Sequence, residues 1–126
     1  MKNVMNIHDA NIIGILIDDG KNIRLILEDS TKRTLIFTNA IRMKIDNFQL
    51  GNILLDISVL NNLSAKEELC KSLCFLYDIE EHELQNEWAR SVIKKIEAKS
   101  LVLVILLESY GAHGMILCES YAEQPD

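Results

Sequence analysis

Basic charge is what this chain most conspicuously lacks. Thirteen Lys and Arg stand against nineteen Asp and Glu, a formal net charge of −6. That excludes the basic footprint by which a protein grips DNA or RNA. An acidic chain suits a basic protein partner. Long apolar runs are missing too. The longest, Leu101 to Leu107, falls far below the roughly 20 residues of a membrane span, so no membrane is expected as partner. The segment from Met1 to Met5 is too short and too polar for a signal peptide. Three cysteines without an export signal read as free thiols in a reducing cytoplasm. There is no Walker loop and no G-x-G-x-x-G, so phosphate-cradling classes drop out and no cofactor is expected.

What is present is globular. Hydrophobic residues are 48% of 126, enough for one domain over residues 1–126 with a real core. After His8-Asp9-Ala10-Asn11 comes an apolar alternation, Ile13, Ile15 and Ile17. Asp19-Gly20 then separates it from a second, Ile23, Leu25 and Leu27. Asp-Gly between apolar runs predicts a tight hairpin. Asp29-Ser30-Thr31-Lys32 is a second turn before a strand at Thr34 to Thr38. Ile41, Met43 and Ile45 alternate with Arg42, Lys44 and Asp46, a strand with one wet face. After a turn at 47–52, Ile53, Leu55, Ile57 and Val59 make a fifth strand. Links this short predict an antiparallel meander.

The period then changes, and neither Gly nor Pro occurs between 64 and 99. Ser64 with Glu67 has capping-box spacing, and Leu69, Leu73 and Leu76 follow at helical intervals. Asp78 with Glu81 repeats the cap, ahead of a ladder of Leu84, Trp88, Val92 and Ile96. These predict two helices broken near Tyr77-Asp78, with Leu84 and Trp88 facing the sheet. The run Leu101 to Leu107, rich in β-branched residues, predicts a buried strand. Tyr110 to Gly114 turns the chain into a last strand, Met115 to Tyr121. The expected fold is α+β: a strongly curved antiparallel meander of about seven strands, with two helices inserted before the last hairpin. Apolar residues on its outer face (Leu16, Ile26, Ile36, Leu54) call for barrel closure or a homodimer.

Chemistry-bearing residues are few. His8-Asp9 is half of a metal-binding pair, but a pair cannot fill a coordination sphere and no metal is expected. Cys70 and Cys74 share a helix face with Leu69 and Leu73, where thiols pack as small hydrophobes. His113 lies between glycines with no nucleophile elbow, since Ser109 lacks G-x-S-x-G, so no catalytic residue is assigned. The acidic stretch says more. Residues 66–87 hold seven acids against two lysines, −5 of the total −6. Part of this serves helix N-termini. The rest suits docking of a basic partner by Glu80, Glu81, Glu83 and Glu87, expected to be exposed and unpaired.

His8-Asp9-Ala10-Asn11-Ile12 ahead of a strand resembles the "HDaxI" opening of small bacterial proteins of the polymorphic-toxin immunity type and related families. Ser109-Tyr110-Gly111-Ala112 and Cys118-Glu119-Ser120 are similar to the closing hairpin of some of them. The resemblance implies a β-rich, non-catalytic binding domain. The alternative is a small-molecule-binding or enzymatic domain with a polar pocket of His8, Asp9, Tyr110 and His113, in which the opening and closing motifs meet.

Overall fold

In the computed structural model the described residues are 7, 9–19, 21–47, 52–110 and 113–124, without the side chains of 52, 54, 55 and 108–110. The chain runs through β1 (Ala10–Asp18), β2 (Asn22–Glu28), β3 (Lys32–Thr38), β4 (Arg42–Asp46) and β5 (Asn52–Leu60). Helix α1 (Lys66–Tyr77), a 3₁₀ turn (Glu81–Gln85) and helix α2 (Glu87–Glu97) follow. Strands β6 (Val102–Tyr110), β7 (His113–Cys118) and β8 (Ser120–Glu123) close the chain. No helix among the described residues is long and apolar enough to cross a membrane.

The turns obey local chemistry. Asp19 takes φ 52°, the positive value its place in the first hairpin demands, and the Lys21 amide donates to the Asp18 carbonyl at 3.0 Å. Gly20 lies outside the described residues. The Asp29 carboxylate accepts the Thr31 amide at 3.0 Å and turns the chain into β3.

The fold is α+β, with two helices and eight antiparallel strands in the order β4-β7-β6-β5-β1-β2-β3-β8. The expected continuous meander holds for β1-β2-β3 and then breaks. β4 does not fold back on β3. The chain turns at Asn39, φ 51°, and β4 crosses to pair with β7 from Arg42↔Leu117 to Asp46↔His113. The last strand also splits, at Glu119: β7 stays with β6 while β8 pairs with β3. Glu119 N–H donates to the Thr38 carbonyl and Ile41 N–H to the Leu117 carbonyl, so the two bends hold each other. β5 returns beside β1 over Ala10–Ile12. The result is two antiparallel sheets, β1-β2-β3-β8 and β5-β6-β7-β4, joined through β1–β5 on one side and through the bent strands on the other. Gly114, predicted in a turn, lies inside β7. A Cβ there would come within 3.0 Å of the Ile45 side chain and 3.1 Å of the Lys44 carbonyl.

Two cores result, and β6–β7 separates them. Val104, Leu106, Ile116 and Cys118 point between the sheets, into a core with Leu25, Leu27, Leu35 and Phe37. Their neighbours Leu103, Ile105, Met115 and Leu117 point the other way, under Leu69, Leu73, Leu76, Leu84, Ile93 and Ile96. Burial on both faces is why Leu101 to Leu107 reads as an unbroken apolar run. Each such side chain contributes about 1.5–3 kcal/mol of transfer free energy.

The two helices break where expected, with Asp78 left-handed at φ 55°, but their caps differ from expectation. Ser64 does not cap α1. Its hydroxyl accepts the Asn61 amide at 3.0 Å, closing the preceding turn, and Ala65 is the N-cap residue. Asp78 ends α1 rather than opening the next element. The capping box is instead Glu80 with Glu83. Trp88 is 41% exposed, not buried. The 3₁₀ turn interrupts the phase between Leu84 and α2, whose buried residues are Ala89, Ile93 and Ile96. The Trp88 ring leans on Tyr77 at 4.7 Å instead.

The C-terminus of α1 has no basic residue of its own, and β4 supplies two. Arg42 Nε donates to the Leu76 carbonyl at 2.9 Å, and Lys44 Nζ to the Phe75 carbonyl at 3.0 Å. Lys44 also pairs with Asp78. Each cation stands over a ring: Arg42 at 4.8 Å from the Tyr77 centroid, Lys44 at 4.3 Å from that of Phe75. Both satisfy orphan carbonyls at the negative end of the helix. The Arg42→Met, Lys44→Met double variant is expected to lose about 1–3 kcal/mol in urea unfolding. Lys32→Met, at an exposed position, is expected to change stability by less than about 0.5 kcal/mol.

Candidate functional site

The opening and closing motifs arrive at one end of the sheets. Asn11 pairs with Ile53, and Ile53 on its other side with Tyr110. β1 and β6 therefore flank β5 at this level, roughly 10 Å apart at about 4.8 Å per strand. Asp9 stands at the entry to β1 with φ 55°. His113 opens β7 opposite Asp46, half-buried, with its ring edge-on to Phe75 at 5.1 Å. His8, Gly111 and Ala112, and the side chains of Ser109 and Tyr110, lie outside the described residues. Asp9, just ahead of β1, and His113, at the start of β7, are thus separated by β5 and β6 in the sheet order.

The acidic segment forms the outer layer over β6 and β7. Glu67 and Glu68 occupy the first turn of α1, Glu81 and Glu83 that of the 3₁₀ turn, and Glu87 that of α2. Acids at these positions complement orphan amides. Glu80, Glu81 and Glu87 are exposed and Glu83 is half-buried. The expectation that all four are unpaired is corrected for two. The Glu80 carboxylate accepts the Glu83 amide, and Glu83 Oε1 accepts the Glu80 amide at 3.1 Å. Glu80 also lies 3.8 Å from His82 Nδ1. The chain is extended at Glu80, so a new turn starts there and its amides need acceptors.

Between α1 and the 3₁₀ turn and α2 runs an open groove. Cys70, Leu84 and Ile93 line its floor, and Glu67, Glu81 and His82 line part of its rim. Lys66 and Arg90 stand on the same rim, so basic charge is interleaved with the acids. Arg90 continues into a second shallow groove with Glu87 and Lys94. The sequence reading missed Lys66, His82 and Arg90. The signal was available: Lys66 and Cys70 are one helical turn apart on α1, as Arg90 and Ile93 are on α2.

Cys70 and Cys74 are half-buried rather than mostly buried, at the margin of the helical core. Burial pushes the Cys74 thiol up, with help from the charge of Glu81. Burial pushes Cys118, inside the sheets, up to about 12. Thiols so shifted are poor nucleophiles. Among the described residues no three His, Cys, Asp or Glu side chains converge on a metal position. At the far margin of the sheets Arg33 makes a fork to Glu123, Nε to Oε2 at 2.8 Å and Nη2 to Oε1 at 2.7 Å. The guanidinium holds the Glu123 carboxyl below the usual carboxylate range.

Comparisons with protein-family models, with curated proteins and with solved structures found no match.

The thiols give a direct check on this geometry. In native protein alkylated at about pH 8, Cys70 is expected to react first, Cys74 more slowly, and Cys118 only after denaturation. Mass mapping of the adducts reads the order. Native modification of Cys118 ahead of Cys70 would contradict the packing of β7.

Proposed function

We propose that this chain is a non-catalytic, cytoplasmic protein-binding domain of the immunity type that receives a basic partner on the layer formed by α1, the 3₁₀ turn and α2. One observation carries the reading. Residues 66–87 of this layer hold −5 of the chain's −6, which Arg90, Lys94, Lys95 and Glu97 of α2 reduce to −3 for the whole layer, and they present Glu67, Glu80, Glu81 and Glu87 to solvent beside an open apolar-floored groove. Its buried side is fixed by Leu69, Leu73, Leu76 and Ile93 on β6 and β7, so the carboxylates stay outward in the free protein. Such a field steers a cationic partner, and the groove offers its side chains a place to anchor. The HDaxI-like opening agrees with this class.

A second reading, a small-molecule or catalytic pocket of His8, Asp9, Tyr110 and His113, has one observation in its favour. The strands bearing the opening and closing motifs meet at the same end, either side of β5.

Because Glu80 and Glu83 hold the turn together, the test uses acids outside the capping box. The variant Glu67→Lys, Glu81→Lys, Glu87→Lys is expected to fold but to lose about 1–3 kcal/mol, since each acid sits in a first helical turn and its reversal places a cation at the positive end of the helix. A basic protein captured on the parent should associate more slowly as salt rises. The variant should slow that association by roughly tenfold or more at low salt. A variant that binds as fast as the parent at low salt reduces the acidic layer to a solvated helix surface.

A further inference from the structure

The helices cover one outer sheet face and leave the other open. On β1-β2-β3-β8 the inward residues are buried: Ile23, Leu25, Leu27, Leu35 and Phe37. Register fixes what points outward. Leu16 sits beside Arg24 and Arg24 beside Ile36, which neighbours Ala122. Gly14 sits beside Ile26 and Ile26 beside Thr34. A Cβ on Gly14 would touch the Ile26 side chain at 3.4 Å, so both lie on this face. Its centre is therefore Leu16, Ile26, Ile36 and Ala122, with Arg24 between Leu16 and Ile36 and the small residues Gly14 and Thr34 on either side of Ile26. Leu16 is 51% exposed, and Ile13, at the bulge in β1, is 47% exposed.

The charges on this face are balanced. Asp18, at one end, pairs at 2.8 Å with Arg24 in the middle row, and Glu28 stands opposite Lys32 at the other end. The face is thus neutral on a chain whose net charge of −6 lies almost wholly in residues 66–87. A basic partner finds no excess acid here, and an acidic one no excess base. We propose that this face binds a second copy of the same chain, sheet against sheet across a twofold axis. The rotation exchanges the two ends, so the end of one copy that carries Asp18 meets the end of the other that carries Lys32, and the patch is self-complementary as a homodimer requires. It is also where two acidic copies meet with least repulsion, because their helical layers then point apart. The small residues at the centre let the sheets approach to about 10 Å, the ordinary spacing of stacked sheets.

The patch is roughly 19 Å across at about 4.8 Å per strand. Its apolar centre is smaller than the ~800 Å² per partner of a standard stable interface, so the dimer is weak and reversible. Its salt dependence has the opposite sign to that of a basic partner on the helices. Salt screens the repulsion between two acidic copies and strengthens the dimer.

Sedimentation velocity of the whole chain from micromolar to millimolar concentration, at low and high salt, tests this. The expected result is a mass rising reversibly from 14.4 kDa toward twice that value, further at high salt. Leu16→Glu and, separately, Ala122→Arg should remain monomeric throughout. Both positions are exposed, so circular dichroism melts should match the parent. The Glu67→Lys, Glu81→Lys, Glu87→Lys variant should still dimerise. A parent that stays monomeric, a dimer that survives both sheet-face variants, or a dimer that dissociates as salt rises would overturn the proposal.

Discussion

Burial of β6 and β7 on both faces is the constraint from which the rest of the structure follows. A strand pair with one apolar face needs one cover, and this pair needs two. The sheet β1-β2-β3-β8 covers one face through Val104, Leu106, Ile116 and Cys118. The helices cover the other through Leu103, Ile105, Met115 and Leu117. The helices lie next to these strands in the chain, between β5 and β6. Their amphipathic sides then have only one surface to meet, which sets the direction of every charge on the outer layer. Arg42 and Lys44 tie the C-terminal end of α1 down from β4, where the helix has no cation of its own.

Charge and apolar surface are divided between the two outer layers. The helical layer is acidic and carries a groove. The open sheet face is neutral and carries Leu16, Ile26 and Ile36. The first arrangement attracts an opposite charge from a distance; the second acts at contact and is indifferent to sign. The two proposed docking surfaces lie on opposite sides of the domain, with β6–β7 and the inner core between them.

Local patterns were legible where local chemistry decides. The Asp19 turn, the alternation in β2, the break at Asp78 and the double-sided burial of Leu101 to Leu107 follow from periods and turn residues. Long-range choices were not legible. Nothing near Asn39 marks β4 as bound for β7 rather than β3, because the pairing is decided by a strand some 70 residues away. The bulge between Ile12 and Gly14 leaves Ile13, read as inward, exposed; Ile17 stays on the side of Ile15, opposite the buried Ile23, and is exposed near the end of β1. Trp88 failed for a similar reason, since a 3₁₀ turn resets the helical phase. In the acidic segment the charges were visible but the capping box was misplaced by two residues, from Asp78–Glu81 to Glu80–Glu83. Two carboxylate pairs at that spacing compete there, and backbone geometry selects one.

The central claim is that β6–β7 makes the helical layer and the sheets one cooperative unit. Trp88 is the only tryptophan and stands on Tyr77 in the helical layer, so its fluorescence reports that layer. Hydrogen exchange at β2 and β3 amides reports the sheets. Urea unfolding followed by both should give one coincident transition, because exposing Leu103 and Leu117 removes half the burial of the strands that the inner core also needs. A Trp88 transition completed at urea concentrations where β2 and β3 amides remain protected would contradict the account.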